Sequence, residues 1–150
     1  MQPETSSTLT TDSGSAETTP LRVLIVEDQP INTEILRRML VKAGFAVTLA
    51  GNGHEAVEIC KATSFDLILM DVQMPIMDGI QATRTIRALD NHRDTTPIIA
   101  VTAHALSDEV QTCLSAGMNA HISKPYRFET LMGTIQEVRD AFRNGERKVA

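Results

Sequence analysis

The sequence predicts a doubly wound α/β domain: a five-stranded parallel sheet in the order 2-1-3-4-5, with helices on both faces. Two observations support this fold class. Five strand-like segments each precede a segment with helical spacing of apolar residues. The first, third and fourth strand-like segments are continuous apolar runs, typical of strands buried on both faces, whereas the second and fifth are mixed. The order 2-1-3-4-5 places the mixed strands at the edges and makes strands one and three neighbours.

The first two units are predicted from residues 21–62. An apolar run at residues 23–26 is followed by a helix that begins with Pro30, a residue suited to a first helical turn, and ends at Gly44. Residues 45–50 alternate large and small side chains, which indicates a strand. A short helix then includes the apolar positions between Ala56 and Cys60.

The remaining three units follow in the same alternation. The third strand is the run at residues 67–70, and Asp78 before Gly79 predicts a turn and cap for the helix that continues to Leu89. The fourth strand covers residues 98–101, and its helix ends at Gly117. A weak fifth strand at residues 120–123 precedes a last helix at residues 128–142 with clear 3–4 spacing.

The chain of 150 residues has room for one domain, expected at residues 21–143. Half of residues 1–20 are Ser or Thr, and this composition predicts a disordered tail or linker. Residues 144–150 are expected to form a flexible C-terminal tail.

Composition excludes several function classes. Three of the 19 acids and none of the 14 basic residues lie in residues 1–20, so the rest is nearly neutral and unsuited to nucleic acid. No apolar run is long enough for insertion into a membrane. Cys60 and Cys113 fit no disulfide or metal motif, which favours a reduced, cytoplasmic location. The oligomeric state stays open.

Polar residues follow four of the predicted strands: Glu27, Asp28, Asp71, Thr102 and Lys124. In a parallel sheet these positions meet at one edge, where ligands bind. Close carboxylates repel each other, and Mg²⁺, which prefers oxygen ligands, relieves the repulsion. An ammonium and a hydroxyl beside them suit a phosphoryl group. Asp71 is central among these strands, so it is the candidate nucleophile.

Several motifs of the chain also match a known family. They are Val26-Glu27-Asp28, residues 66–75, Met77-Asp78-Gly79, residues 98–103, Ala116-Gly117-Met118 and Lys124-Pro125. With these motifs the chain resembles a response-regulator receiver domain of two-component signalling, and is most similar to receivers of hybrid sensor histidine kinases. The resemblance implies a flavodoxin-like and CheY-like fold.

The resemblance also implies roles for individual residues. Asp71 would accept a phosphoryl group from a phosphohistidine on a histidine kinase or a histidine phosphotransfer domain. Mg²⁺ would be held by Glu27, Asp28, Asp71 and the backbone carbonyl of Gln73. Thr102 and Lys124 would contact the phosphoryl group, and the Lys124–Pro125 bond would be cis.

The resemblance further implies a conformational switch at Thr102. The second switch position, where the family usually has Tyr or Phe, is His121, and whether His121 works as a switch stays open. Such a domain is not an enzyme with a separate substrate, because it catalyses only its own phosphorylation and dephosphorylation. Whether the chain is a stand-alone regulator, a phosphate shuttle or a piece of a hybrid kinase stays open.

Four alternatives compete with this interpretation. Glu27 and Asp28 alone suit the capping of a helix. Residues 51–56 match the G-x-G-x-x-A dinucleotide fingerprint, although Glu55 would oppose a pyrophosphate. A phosphatase with an aspartyl-phosphate intermediate would need a second Asp two positions after the nucleophile, and Gln73 occupies that position. The chain could also be a scaffold that is never phosphorylated, but such a scaffold would have no use for the polar residues that follow the strands.

Overall fold

Strands and helices alternate along the whole of the described chain. The computed structural model describes residues 20–72, 74, 77–92, 96–103 and 107–145. The strands are β1 (Arg22–Val26), β2 (Ala46–Ala50), β3 (Leu67–Asp71), β4 (Ile98–Thr102) and β5 (Ala120–Ser123). The helices are α1 (Pro30–Lys42), α2 (Gly53–Ala62), α3 (Gly79–Arg87), α4 (Ser107–Ala116) and α5 (Phe128–Arg143).

The strands form one parallel sheet in the order β2-β1-β3-β4-β5, which confirms the predicted topology. Every residue of β3 and β4 is buried, as the continuous apolar runs indicated. The edge strand β2 is only partly buried, and its Leu49 keeps 42% of its surface exposed. Apolar continuity therefore distinguished central strands from edge strands correctly, because a central strand has helices against both of its faces.

Alternation of side chains along the strands divides the core into two layers. One layer joins Leu24, Ile68 and Ala100 to apolar residues of α2, α3 and α4. The other joins Val23, Leu69 and their neighbours to apolar residues of α1 and α5. Helices thus cover both faces of the sheet. The polar residues at the carboxyl ends of the strands are not covered in this way, and they are the place for a functional site.

The helix boundaries follow the predicted signals. Pro30 is the first residue of α1, and Gly44 and Gly117 adopt φ values of 97° and 114° just beyond α1 and α4. Only glycine adopts such values readily, so it ends a helix at little energetic cost. Asp78 caps α3, since its carboxylate accepts a hydrogen bond from the Gln81 N–H at 2.9 Å.

The two predicted tails fall largely outside the described residues, which include only Pro20, Asn144 and Gly145 of them. Across the part of the chain that the structure describes, no helix has both the length and the apolar character needed to span a bilayer.

Candidate functional site

Three carboxylates meet at the carboxyl ends of β1 and β3. Glu27 and Asp28 directly follow β1, and Asp71 is the last residue of β3. These strands are parallel neighbours, with Val26 paired to Met70, so the residues that follow them converge. One oxygen from each carboxylate lies within 4.8 Å of the others. The structure therefore brings together the three acids that the sequence predicted.

Lys124 reaches this cluster from the far edge of the sheet. Its Nζ lies 3.4 Å from Asp71 Oδ2 and 3.5 Å from Glu27 Oε1. β5 and β3 are separated by β4, a distance of about 9–10 Å, so only a long side chain can make this contact. The Lys124 N–H donates to the Thr102 carbonyl at 2.7 Å, and the Lys124–Pro125 bond is cis, as the resemblance implied.

The charges of this cluster do not balance among the described residues. Three carboxylates face one ammonium, and Glu27 and Asp71 expose only 3% and 4% of their surface. Glu27 Oε1 is buried and makes no hydrogen bond with any residue that the structure describes. Buried negative charge that one ammonium balances only in part is unfavourable, and a hard divalent cation with oxygen ligands would relieve it. Gln73, the fourth predicted ligand, lies outside the described residues.

The structure contradicts the capping alternative for Glu27 and Asp28. The N-cap of α1 is Gln29, whose side chain makes no capping hydrogen bond, and the first turn contains no acid. Glu27 instead accepts the Gln29 N–H through Oε2, at 3.2 Å. This hydrogen bond orients the Glu27 carboxylate so that its other oxygen, Oε1, lies near Lys124 Nζ.

Thr102 ends β4 and is almost completely buried. Ala100 packs with the α2, α3 and α4 layer, and the alternation of side chains places Thr102 on that same face. Its hydroxyl donates a hydrogen bond to the carboxylate of Glu109, in the first turn of α4. Sequence reasoning missed Glu109, because no periodic signal shows which helical residue lies against a strand end.

Tyr126 is a second residue that sequence reasoning missed. Its hydroxyl donates to the Asn32 carbonyl in α1 at 3.3 Å. Burial, followed by the negative charges of Glu27 and Asp71, raises the pKa of Tyr126 to about 12. Tyr126 is therefore a neutral group that connects the segment after Lys124 to α1. Its position directly after Lys-Pro was the available signal.

His121, the predicted switch residue, lies half-buried in β5 and pairs with Ala100. Its Nδ1 is buried and makes no hydrogen bond with any described residue. By alternation with Ala120 and Ile122, which pack against the α1 and α5 layer, the side chain belongs to the face that α4 covers. A switching role for His121 stays a prediction.

In the loop that matches the dinucleotide fingerprint, side chains of the loop itself accept hydrogen bonds from backbone N–H groups. Asn52 caps α2 by accepting the Glu55 N–H at 2.8 Å, and the Gly51 N–H donates to the Glu55 carboxylate. This reciprocal arrangement places a negative charge where a pyrophosphate would bind. The contacts count against the dinucleotide alternative.

Comparisons with known proteins agree on one family. The family model described as the response regulator receiver domain matches residues 23–136. The histidine-protein kinase BarA of Escherichia coli K12 is 44% identical over 111 residues, which are 74% of this chain and 12% of that protein. The hybrid histidine kinase G of Dictyostelium discoideum is 40% identical over 126 residues, which are 83% of this chain and 4% of that protein. The chain therefore spans only a small part of the length of these relatives.

Solved structures give the same result. The receiver domain of the sensor histidine kinase PA1611 from Pseudomonas aeruginosa, with a magnesium ion in its active-site cleft, is 41% identical. Its TM-score is 0.74, and the match covers 79% of this chain and 97% of that one. A second match is the co-crystal structure of the histidine phosphotransfer protein Ypd1 and the receiver domain of Ssk1 from Saccharomyces cerevisiae. The sequence identity is 35% and the TM-score is 0.73. That match covers 79% of this chain and 88% of the other.

Proposed function

The chain belongs to the response-regulator receiver domain family of two-component phosphorelays, and on that premise we propose that Asp71 is its phosphoacceptor. The observation that carries this proposal is the meeting of Glu27, Asp28 and Asp71 within 4.8 Å, with Lys124 Nζ beside them. Asp71 lies 3.4 Å from Lys124 Nζ, at the end of a fully buried central strand. We take the domain itself to be residues 21–143.

The donor set fits Mg²⁺. Hard oxygen ligands converge from Glu27, Asp28 and Asp71, and Glu27 Oε1 is buried without a hydrogen bond among the described residues. When bound, Mg²⁺ supplies positive charge to the carboxylates and to a phosphoryl oxygen. The magnesium ion of the PA1611 receiver supports this assignment. The backbone carbonyl of Gln73 is proposed as a further ligand on family resemblance alone.

The proposed reaction is an in-line transfer from a phosphohistidine. A carboxylate oxygen of Asp71 forms a bond to phosphorus while the phosphorus–nitrogen bond breaks, and the imidazole leaves with the electron pair of that bond. The Lys124 ammonium supplies charge to one phosphoryl oxygen, and the Thr102 hydroxyl supplies a hydrogen bond to another. Later attack of water on phosphorus releases inorganic phosphate and restores the Asp71 carboxylate, so the domain ends its own signal.

The first turns of α1 offer a docking surface for the phosphodonor. Ile31 is 76% exposed and Ile35 is 42% exposed, although both are large apolar residues. They border a depression of about 340 Å³ together with Glu34 and Arg38. Since α1 begins two residues after Asp28, a partner seated here lies beside the acidic cluster. We assign this surface to a helix of a histidine kinase or a histidine phosphotransfer protein, in line with the Ypd1 complex of the Ssk1 receiver.

The buried free thiols of Cys60 and Cys113 fit the reducing cytoplasm as the place where this transfer occurs. Burial raises the pKa of Cys60 to about 12, so this thiol stays protonated and unreactive.

Intact-mass spectrometry after incubation with acetyl phosphate and Mg²⁺ tests the proposal. We expect wild-type protein to gain one phosphoryl group, and Asp71→Asn to gain none because an amide is not a nucleophile toward phosphorus. Asp66→Asn is the matched control at the opposite end of β3, where an amide oxygen still accepts the Arg22 N–H. Equal labelling of wild type and Asp71→Asn would refute the assignment, and continuous turnover of p-nitrophenyl phosphate would favour a phosphatase.

A further inference from the structure

We propose that Glu109 is a positioning residue that holds the Thr102 hydroxyl in the unphosphorylated state and thereby lowers the rate at which Asp71 accepts a phosphoryl group. This inference rests on the proposed function of Asp71 and concerns the regulation of the same site. It starts from one contact, the hydrogen bond that Thr102 Oγ1 donates to Glu109 Oε1.

Thr102 is held differently at its backbone and at its side chain. Its carbonyl accepts the Lys124 N–H at 2.7 Å, and its place in β4 is fixed by pairing with Ser123. The side chain, in contrast, donates its hydroxyl hydrogen bond to a residue of α4. The hydroxyl can therefore change its partner by rotation about χ1 while the strand stays in place.

A threonine hydroxyl has a single proton to donate. While Thr102 donates that proton to Glu109, the proton is not available to a phosphoryl oxygen on Asp71. The hydrogen bond to Glu109 is charge-assisted, and such bonds are about twice as strong as neutral ones. Transfer to Asp71 thus requires Thr102 to give up a strong bond before it forms a new one.

The charge of Glu109 adds a second reason for competition. Phosphorylation brings further negative charge to an edge of the sheet that already has three carboxylates. Two anions sharing one hydroxyl repel each other, so the acyl phosphate favours withdrawal of Glu109. Glu109 lines a cleft of about 670 Å³ between α3 and α4, together with Ile80 and Thr112. This cleft gives the released carboxylate a solvated place to move into.

The contact also explains how the site communicates with α4. Glu109 lies in the first turn of this helix, so release of Thr102 removes a contact between the helix end and the sheet. Linkage requires the converse as well: a partner that draws Glu109 away from Thr102 favours phosphorylation of Asp71.

The test measures the initial rate of phosphorylation by acetyl phosphate and Mg²⁺ with intact-mass spectrometry. We expect Glu109→Ala to raise this rate about five- to tenfold, the effect of removing one charge-assisted hydrogen bond. Glu109→Gln keeps an acceptor oxygen and the helix, and we expect a rise of about two- to threefold. Asp108→Ala is the matched control, because Asp108 is an exposed acid in the same helical turn.

A Thr102→Val background decides whether Glu109 acts through the hydroxyl. In that background Glu109→Ala should no longer change the rate, whereas in a Thr102→Ser background it should still raise it. The methyl resonance of Thr102 in unphosphorylated protein provides a structural readout. Glu109→Ala should move it toward its position in phosphorylated wild type, and Asp108→Ala should leave it in place.

Failure of this inference is distinguishable from failure of the proposed function. If wild-type protein is labelled at Asp71 but Glu109→Ala matches wild type, or if Asp108→Ala accelerates labelling equally, the role of Glu109 is refuted and that of Asp71 stands. If wild type takes up no phosphoryl group at all, the proposed function fails first. A rate increase that persists in Thr102→Val would also overturn the inference.

Discussion

At the scale of single residues, the main feature of the site is an excess of negative charge: three carboxylates lie near one ammonium group. Lys124 Nζ is the cation that the structure places beside Asp71 and Glu27, at 3.4 and 3.5 Å. Because Glu27 and Asp71 are nearly buried, solvent screens these interactions less than it would at the surface. We therefore expect Lys124 to compete with a metal ion for the same carboxylates, in addition to its proposed role of supplying charge to a phosphoryl oxygen.

Replacing Lys124 by glutamine should separate these two roles. We expect Mg²⁺ to bind about three- to tenfold more tightly in Lys124→Gln, since a positive charge near two ligands is removed. The rate of phosphorylation should fall by about tenfold or more, because the phosphoryl oxygens lose an electrostatic partner. Isothermal titration calorimetry and intact-mass spectrometry measure the two effects.

Lys61→Gln serves as the control for Lys124→Gln, because Lys61 pairs with Glu58 on the exposed face of α2. It should change neither quantity. Weaker Mg²⁺ binding in Lys124→Gln would contradict the assigned competition.

At the scale of elements, the start of α3 is pressed against the end of β3. The Gly79 N–H donates to the Val72 carbonyl at 2.9 Å, and a Cβ on Gly79 would lie 2.2 Å from the carbonyl oxygen of Asp71. Backbone atoms cannot yield to such a contact as a flexible side chain can. The absence of a side chain at position 79 thus lets α3 begin directly beside the residue proposed to accept the phosphoryl group.

Gly79→Ala should therefore destabilise the protein and disturb Asp71 together. We expect the free energy of unfolding in urea to fall by about 1–3 kcal/mol, as for other overpacked positions, and the phosphorylation rate to fall with it. Gly133→Ala is the matched control, because a Cβ at that position in α5 would meet no atom within 4 Å. There we expect a gain of about 0.5–1 kcal/mol from helix propensity alone. Equal effects of the two substitutions would contradict the close packing of α3 on β3.

At the scale of the whole molecule, buried polar contacts join the segments that the sheet does not connect. The Arg87 guanidinium, at the end of α3, donates to the carbonyls of Gly117 and His92 and to Asn119 Oδ1. Asn119 Oδ1 also accepts the Ile98 N–H, at the start of β4. The Arg87 side chain thus links the end of α3 to His92, in the segment that follows this helix, and to the segment between α4 and β5. His92 itself is completely buried and stacks on Phe65, with ring centroids 6.3 Å apart.

The burial of His92 predicts how global stability depends on pH. Burial first, and the positive charge of Arg87 second, lower the pKa of His92 below its ordinary value of 6.5. At a pH well above 6.5 the imidazole of His92 is neutral in the folded and in the unfolded protein, so it imposes no penalty on folding. As pH falls below 6.5, the unfolded chain binds a proton before the folded one does, and the free energy of unfolding decreases until the folded pKa is passed.

Urea unfolding between about pH 7.5 and 5.5 measures this dependence. We expect His92→Phe, which keeps an aromatic ring but cannot be protonated, to lose less stability than wild type on acidification. His54→Gln, on the exposed side of α2, should behave as wild type does. A pH profile of His92→Phe that superimposes on that of wild type would exclude His92 as the cause.

The amino-acid sequence by itself determined the order of the elements, the strand order and the membership of the acidic cluster. Continuous apolar runs such as residues 67–70 and 98–101 report burial on both faces, and parallel strands place the residues that follow them at one edge. Glu27, Asp28, Asp71, Thr102 and Lys124 could be identified in this way, because strand direction alone brings their positions together.

Only the tertiary structure decided which side chains face one another at that edge. The pairing of Glu109 with Thr102, the place of Tyr126 against α1 and the burial of His92 depend on how helices and loops dock on the sheet. Periodicity reports whether a residue is buried, but it does not report its partner. A partner is set by packing between segments distant in the chain, where a shift of one helical turn would bring a different residue to Thr102.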